Sequence, residues 1–336
     1  MRVDVFSAKG GVGKTSVAFR LARWWAKKSN CPVLLVDADL SGTCLGDLLQ
    51  PTVIPAWHVQ RNLIHLVCGP PERLTEELDL DRLPVYELPK GADEHAQRVR
   101  EAASGPTLLF CPSNAETYLT VPAGNEAMVD LAVLQALLGH ESAGGWVGHV
   151  IDRVIGVTAQ RVMGLAAAIV DHGPGIGALQ WSQLSAIDSE LGKAQKEKRP
   201  SRRQALFVAS RDMVDLAAAR TIDDRIGPAR SRPMGHIRAT ALWVLNRLPA
   251  DWASSATPDP QGWRKTLGEV LSTTHLDSIR HDIWFHNTLP VFEDPAMAVA
   301  YANSGLPKYW DEHDDTDIAA IHERLTRHAV PNPPVP

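Results

Sequence analysis

A glycine-rich segment near the amino terminus has the residue types and the order needed to bind phosphate. Its members are Lys9, Gly10, Gly11, Val12, Gly13, Lys14 and Thr15, and Ser16 follows them. The apolar stretch Val3 to Phe6 precedes the segment and predicts a strand. Glycines permit positive φ and close approach to the backbone, and the start of a helix adds a favourable field for anions. The order of strand, loop and helix therefore predicts a site for a nucleotide polyphosphate, which residues 10–16 would contact.

The charged and hydroxyl side chains of this loop have different expected partners. We expect Lys14 to reach the β- and γ-phosphates as a compact cation. The Thr15 hydroxyl is placed to ligate Mg²⁺, a hard cation that prefers oxygen donors. A second lysine, Lys9, opens the loop, where an ordinary phosphate-binding loop requires no charge. The loop chemistry by itself gives Lys9 no role.

Two further segments place carboxylates directly after apolar strands. The run Val33 to Val36 leads to Asp37 and Asp39, and the run Ala166 to Val170 leads to Asp171. The carboxyl ends of parallel strands meet at one edge of a sheet, where ligands bind. We therefore expect these carboxylates near the glycine-rich loop. A solvated turn is the alternative for Asp37 and Asp39.

In these segments the chain resembles the deviant Walker A ATPases, the group that includes ParA and MinD, whose motif KGGxGKT matches residues 9–15 letter for letter. The resemblance implies ATP and Mg²⁺ as cofactors and a homodimer in the ATP state. Lys9 would reach across a nucleotide sandwich to the partner's phosphates, and Asp39 in switch I would orient the attacking water. Asp171 would be the Walker B aspartate, with Asp37 beside it in the surroundings of the metal. The implied catalytic residues are Lys9, Lys14 and Asp39, and the implied metal site comprises Thr15, Asp37, Asp39 and Asp171.

The segment after Asp171 is similar to the family's switch II. The resemblance implies that a backbone N–H between Gly173 and Gly177 senses the γ-phosphate. His172 is not expected to act as a base, because phosphoryl transfer depends mainly on positioning and electrostatics.

A late apolar strand, Ala241 to Leu245, ends at Asn246 and Arg247, which resemble the family's base-recognition position. An asparagine amide can pair with the N6/N7 edge of adenine. Pro249 stands where related GTPases carry the aspartate that reads guanine, so ATP is favoured over GTP. A strand-end cap is the alternative role for Asn246.

Strands and helices alternate along the chain, which predicts an α/β fold with one doubly wound, mostly parallel sheet and helices on both faces. The segment His281 to His286 is expected to be the last strand. The connection Gly42 to Leu165 exceeds a minimal crossover, so we expect an insertion between switch I and Walker B. These features predict one P-loop ATPase domain over residues 1–330, elaborated around 45–165, and a Pro-rich tail over 331–336.

The composition is typical of a cytoplasmic protein. The chain of 336 residues has a formal net charge of -5, and its four cysteines form no Cys-x-x-Cys pair. Neither a disulfide framework nor a structural zinc site is indicated, which disfavours nitrogenase-type iron proteins and tail-anchor targeting factors. The sequence contains no apolar run of membrane length and no signal-peptide pattern.

Two charged regions bear on partners. Residues 193–238 carry twelve Lys or Arg against five Asp or Glu. Since ParA-like proteins bind DNA through basic surfaces, this segment is a candidate for nonspecific DNA binding, and a solvated loop or a docking surface for an acidic protein are the alternatives. Near the other end, acidic residues precede Ile318, Ile321 and Leu325, which have helical spacing. We expect a packed or frayed terminal helix there and no membrane attachment, because anionic lipids would repel the acids.

These observations favour an ATP-dependent dimerisation switch that hydrolyses ATP slowly and recruits or positions a partner, either DNA or a protein complex. A nonhydrolysing nucleotide-bound scaffold is one alternative, which the intact Asp39 and Asp171 disfavour. An ATP-dependent ligase of the dethiobiotin synthetase type is another, and the combination of Lys9 with Lys14 favours the dimeric ATPases over it.

Overall fold

The computed structural model describes residues 1–40, 63–68, 86–87, 108–111, 141–226, 234–252, 262–294 and 315–328. The strands in these ranges are β1 (Arg2–Phe6), β2 (Val33–Ala38), β3 (Tyr86–Glu87), β4 (Leu108–Cys111), β5 (Ala167–His172), β6 (Arg203–Ser210), β7 (Leu242–Leu248) and β8 (Leu289–Phe292). They form a single sheet in the order β3-β4-β2-β5-β1-β6-β7-β8. Every neighbouring pair is parallel except β3 and β4.

The described ranges also contain nine α-helices and two short 3-10 helices. The α-helices are α1 (Lys14–Ser29), α2 (Leu63–Cys68), α3 (Glu141–Arg161), α4 (Ala178–Lys196), α5 (Met213–Ile226), α6 (Gly235–Thr240), α7 (Gly262–Ser272), α8 (Ile283–His286) and α9 (Thr316–His328). The 3-10 helices are Ala250–Trp252 and Asp277–His281. None of these helices combines the length and apolar character needed to cross a membrane.

Both faces of the sheet are covered, which explains why the inner strands are buried and mostly apolar. All residues of β1, β2 and β5 are buried. Helices α1 and α9 share an apolar cluster on one face. On the other face α3 packs on β2 and β5, and α4 to α8 pack mainly on β6 and β7. The predicted α/β fold with helices on both faces of a mostly parallel sheet is confirmed.

The strand order gathers the segments of interest at one edge. Strand β1 lies between β5 and β6, and β5 lies between β1 and β2. The register aligns Asp171 with Val5 on one side and with Asp37 on the other. Since these strands are parallel, the loops after β1, β2 and β5 leave the sheet side by side.

The prediction of a last strand at His281 to His286 is wrong. This segment forms the end of a 3-10 helix and the helix α8, and the last strand is β8. The helical turn brings Trp284 and Phe285 into the same apolar cluster, whereas a strand would point neighbouring side chains to opposite faces. Strand β8 contains Pro290. As an edge strand that pairs with β7, β8 tolerates this proline.

The insertion is covered by the description only in part. Helix α2 and strands β3 and β4 lie within Gly42 to Leu165, and α3 closes it. The rest of that segment and the tail over 331–336 lie outside the described residues. The division into one domain and a tail stays a prediction.

Candidate functional site

The loop after β1 has the backbone of a phosphate-binding site. Gly11 and Gly13 adopt φ of 82° and 81°, in the left-handed region that favours glycine. Helix α1 begins at Lys14, and the Gly13 carbonyl accepts from Val17 N at 3.1 Å. No side chain caps this helix start. Its first N–H groups are therefore oriented toward the loop, where an anion would accept from them.

Lys14 and Asp171 form a buried ion pair at the centre of this edge. Lys14 Nζ lies 2.5 Å from Asp171 Oδ1, and the two residues are 5% and 1% exposed. The other carboxylate oxygen, Asp171 Oδ2, is buried and has no hydrogen-bond partner among the described residues. A buried carboxylate oxygen without a partner suits a metal-bound water, and the residues here thus fit Mg²⁺.

Two aspartates lie next to this pair, Asp37 near the end of β2 and Asp39 just after it. Asp37 is in register with Asp171, and its Oδ1 accepts a hydrogen bond from Asp39 N at 3.1 Å. A Cβ built on Gly173 would lie 3.0 Å from Asp39 Oδ1. The segment that carries Asp39 therefore lies against the segment that follows β5.

Hydrogen bonds join the segment 173–177 to the neighbouring loop and to α4. Gly175 N donates to Ser7 O at 3.0 Å. Gln180 Nε2 donates to Gly173 O at 3.3 Å, and Gly177 N donates to Gln180 Oε1 at 3.1 Å. A movement of this segment would therefore change the hydrogen bonds at the start of α4.

Lys9 pairs with α5. Its Nζ lies 3.2 Å from Asp215 Oδ1, and its side chain is 46% exposed. The Ser210 hydroxyl donates to the other oxygen of Asp215. The structure thus holds Lys9 at the rim of the site, half in solvent.

Asn246 is also brought to the loop. It ends the buried part of β7, and its Nδ2 donates to Val12 O at 2.9 Å. Arg247 follows with a φ of 59°. All the residues that the sequence assigned to the site therefore lie at one edge of the sheet or in the helix that starts there, while their roles stay predictions.

Sequence reasoning missed a buried network of charged residues around Arg2 and Asp4 of β1. Arg2 makes two hydrogen bonds to Asp4, at 2.8 Å and 2.6 Å, and a third to Gln183 Oε1 at 2.8 Å. Arg203 donates to the same Gln183 oxygen at 2.7 Å. The sequence did contain a signal for this network, because charged residues occupy positions 2 and 4 of a strand that is buried on both faces. Buried charges of this kind are normally paired.

His172 belongs to this network and not to the phosphate site. Its Nε2 lies 2.9 Å from Asp4 Oδ1, and its ring stacks on Phe6 with centroids 4.6 Å apart. Burial lowers the pKa of His172, against the opposing hydrogen bond and charge of Asp4. Burial by itself would raise the pKa of Asp4, but the Arg2 guanidinium, with Arg203 and His172, outweighs it and holds that pKa well below its ordinary value. The expectation that His172 is no base remains consistent with this placement.

Comparisons with known proteins agree with the geometry. A ParA family model, described as NUBPL iron-transfer P-loop NTPase, matches residues 1–64. Apo McdA from Cyanothece is 17% identical, with 96% of this chain and 98% of that chain covered and a TM-score of 0.52. MinD in a MinC:MinD complex from Aquifex aeolicus is 14% identical, with coverage of 100% and 98% and a TM-score of 0.52. An ATP complex of a Cyanothece McdA variant is 17% identical, with coverage of 97% and 96% and a TM-score of 0.52. No curated protein matches the chain by sequence.

Residues 1–64 are therefore similar to the ParA family, and the fold is similar to that of the McdA and MinC:MinD structures.

Proposed function

We propose that the protein is an ATPase that acts as a dimerisation switch, binds Mg·ATP, hydrolyses it slowly and recruits a partner in the ATP state. The observation that carries the proposal is the Lys14–Asp171 pair at 2.5 Å, whose second carboxylate oxygen lacks a partner among the described residues. Lys14 would bind the β- and γ-phosphates, and Asp171 would hold a water of Mg²⁺. When bound, Mg²⁺ neutralises charge that develops on the transferred phosphoryl group.

The remaining residues of the site have roles that follow from their positions. Thr15, at the start of α1, would ligate the metal, with Asp37 beside its waters. Asp39, next to Gly173, would orient the attacking water where the two switch segments meet. Lys9 is half-exposed at the rim, from which it would extend to a second copy of the chain. The ATP complex of the McdA variant and the MinC:MinD complex support a nucleotide and a protein partner by analogy of fold.

The first experiment measures mass and turnover together. Light scattering on Asp39→Ala with Mg·ATP, Mg·ADP and Mg·GTP is combined with phosphate release by the unmodified protein. A doubled mass with ATP alone, together with slow release, is the expected result. A monomer with all three nucleotides and no phosphate release would favour the nonhydrolysing scaffold. Release that requires an added small-molecule substrate would favour the ligase.

DNA is one proposed partner of the ATP state, and the end of α4 is the surface that suits it. Lys193, Lys196, Lys198 and Arg202 are exposed there. Arg199 is paired with Glu190 at 2.7 Å and with Glu197 at 2.5 Å, so the usable positive charge is smaller than the sequence count suggests. The surface lies at the far end of a helix about 28 Å long, away from the segment 173–177.

Replacing two of these lysines tests the DNA surface. Lys193→Gln combined with Lys196→Gln is expected to weaken binding of a random duplex and to reduce the salt slope of log K by about 2, because each phosphate contact releases about one counterion. The matched control is Lys27→Gln with Lys28→Gln, which removes two exposed lysines at the end of α1. An unchanged slope, or an equal change in the control, would exclude this surface.

A further inference from the structure

Strand β7 is irregular where it reaches the phosphate-binding loop. Its pairing with β8 shifts register between Leu245 and Leu248. Within this interval Arg247 adopts a φ of 59°, a left-handed conformation that costs free energy for a residue with a Cβ. Irregularities of this kind redirect side chains and occur next to functional sites.

Asn246 directly precedes Arg247 and is the last residue of β7 in register with β6. It is 7% exposed, and its Nδ2 donates to Val12 O at 2.9 Å. Since a carbonyl oxygen only accepts, the amide nitrogen must face it, which fixes the orientation of the amide. A Cβ built on Gly13 would lie 2.2 Å from the same nitrogen. The amide therefore lies directly against the loop. A side chain at position 13 would collide with this amide, and the left-handed backbone of Gly13 also favours glycine.

We propose that Asn246 is a positioning residue that braces the phosphate-binding loop through Val12, and that the left-handed backbone of Arg247 directs it there. The inference rests on the proposed nucleotide binding and deepens it. Val12 directly precedes Gly13, whose carbonyl accepts the first hydrogen bond of α1. Holding Val12 therefore holds the N–H groups that would receive the phosphates.

A brace and a base-reading residue act on different ends of the nucleotide. Loss of a brace weakens binding of every ligand that carries a triphosphate, with or without a base. Loss of a base-reading amide weakens binding of ATP and leaves a triphosphate without a base unaffected. The two roles can therefore be separated by comparing ligands on one variant.

The test measures affinities for ATP, GTP and inorganic tripolyphosphate in Asn246→Leu, which keeps the side-chain size and removes the donor. All three affinities are expected to fall by a common factor of about three to ten, the value of one lost hydrogen bond. The matched control is Asn287→Leu, an exposed asparagine before β8 at the opposite edge of the sheet, which should change none of them. A loss confined to ATP, with tripolyphosphate unaffected, would overturn the brace.

Thermal unfolding of the nucleotide-free variants separates bracing from general destabilisation. If Asn246→Leu melts like Asn287→Leu yet binds tripolyphosphate more weakly, the loss is local to the loop. A wild-type protein that binds none of the three ligands would refute the proposed function itself. Wild-type binding with no loss in the variant would refute the brace alone.

A second pair of variants tests the backbone of Arg247. Arg247→Gly and Arg247→Val both remove the guanidinium, so their charge is the same. Glycine tolerates a φ of 59°, whereas the β-branched valine does not. We expect the valine variant to bind tripolyphosphate about threefold or more weakly than the glycine variant. Equal affinities would show that the left-handed backbone does not aim Asn246.

Discussion

Lys14 and Asp171 compensate each other's charge in a nearly dry environment at the end of β5. A polyphosphate would compete with Asp171 for the lysine, and Mg²⁺ would then take the place of the lysine beside the carboxylate. The exchange would let phosphate and metal bind together without leaving either side chain as an unpaired buried charge.

Asp171→Asn tests this exchange at the scale of one residue. The variant should lose the dependence of ATP affinity on Mg²⁺, since an amide does not hold the metal's water as a carboxylate does. Its nucleotide-free form should also be destabilised by about 3 kcal/mol or more, because Lys14 would be left without its partner. Titrations with ATP in the presence and absence of Mg²⁺ measure the first effect, and Asp224→Asn on the exposed side of α5 is the control. A wild-type Mg²⁺ dependence in Asp171→Asn would contradict the assignment.

Asp215→Asn tests whether the contact of Lys9 with α5 opposes dimerisation. The pair at 3.2 Å involves a half-exposed lysine, so its loss should favour the ATP dimer by up to about fivefold in concentration. Sedimentation of the variant in an Asp39→Ala background measures this shift, with Lys9→Ala as the companion that should weaken the dimer. If Asp215→Asn weakened dimerisation as Lys9→Ala does, Asp215 would belong to the dimer contact.

Helix α9 is held against the rest of the fold by both apolar and polar contacts. Ile318, Ile321 and Leu325 are fully buried against α1. Arg20 makes two hydrogen bonds to Asp315, at 2.7 Å and 2.8 Å, and Gln204 Nε2 donates to Leu325 O at 3.0 Å. The apolar face that a membrane would require is therefore already used inside the fold.

Ile321→Ala is expected to lower the free energy of unfolding by about 2–4 kcal/mol, because it leaves a cavity between α9 and α1. Arg327→Ala, on the exposed side of the same helix, should change it by less than about 0.5 kcal/mol. Chemical denaturation of the two variants gives both values. An unchanged stability in Ile321→Ala, or binding of the wild-type protein to anionic vesicles, would argue that α9 is not docked in solution.

The charge network around Arg2 and Asp4 acts at the scale of the whole molecule. It joins β1, β5 and β6 to α4 through Gln183 and to α3 through Asp152, which accepts from Arg2. Such a network stabilises the fold only when all its members keep their partners and charges. Because the pKa of Asp4 is lowered in the folded protein, the stability of the fold depends on pH.

The sign of this link follows from proton binding. Below the ordinary carboxyl pKa the unfolded chain binds a proton at position 4 that the folded protein does not, so stability falls as the pH falls. Asp4→Asn should cost about 3–5 kcal/mol at pH 7, because it removes the buried carboxylate that accepts two hydrogen bonds from Arg2. The difference in free energy of unfolding between wild type and variant should become smaller as the pH falls below about 4. Urea unfolding of both proteins from pH 7 down to pH 3 measures this difference. A difference that stays constant over this range would contradict the assignment of the pH dependence to Asp4.

Local patterns allowed much of the site to be predicted. Glycines and lysines in a fixed order after a strand indicated the phosphate loop, and the register of Asp37 with Asp171 confirms that both carboxylates reach one edge. Apolar runs indicated the inner strands because burial on both faces favours apolar residues, although β1 also buries Arg2 and Asp4. The same reasoning failed at His281 to His286, where the apolar residues Trp284 and Phe285 lie in a helix and β8 follows it.

Contiguous residues were enough to predict the mostly parallel sheet, the loop and its carboxylates, because parallel strands end at the same edge of a sheet. The partners of the side chains instead depend on how distant segments pack. The tertiary structure pairs Lys9 with Asp215, directs the amide of Asn246 to Val12, and joins His172 to Asp4 away from the phosphate site. Asn246 and Val12 are 234 positions apart in the chain, and His172 and Asp4 are 168 apart. No local pattern encodes these contacts, because they arise when separate strands and helices pack together.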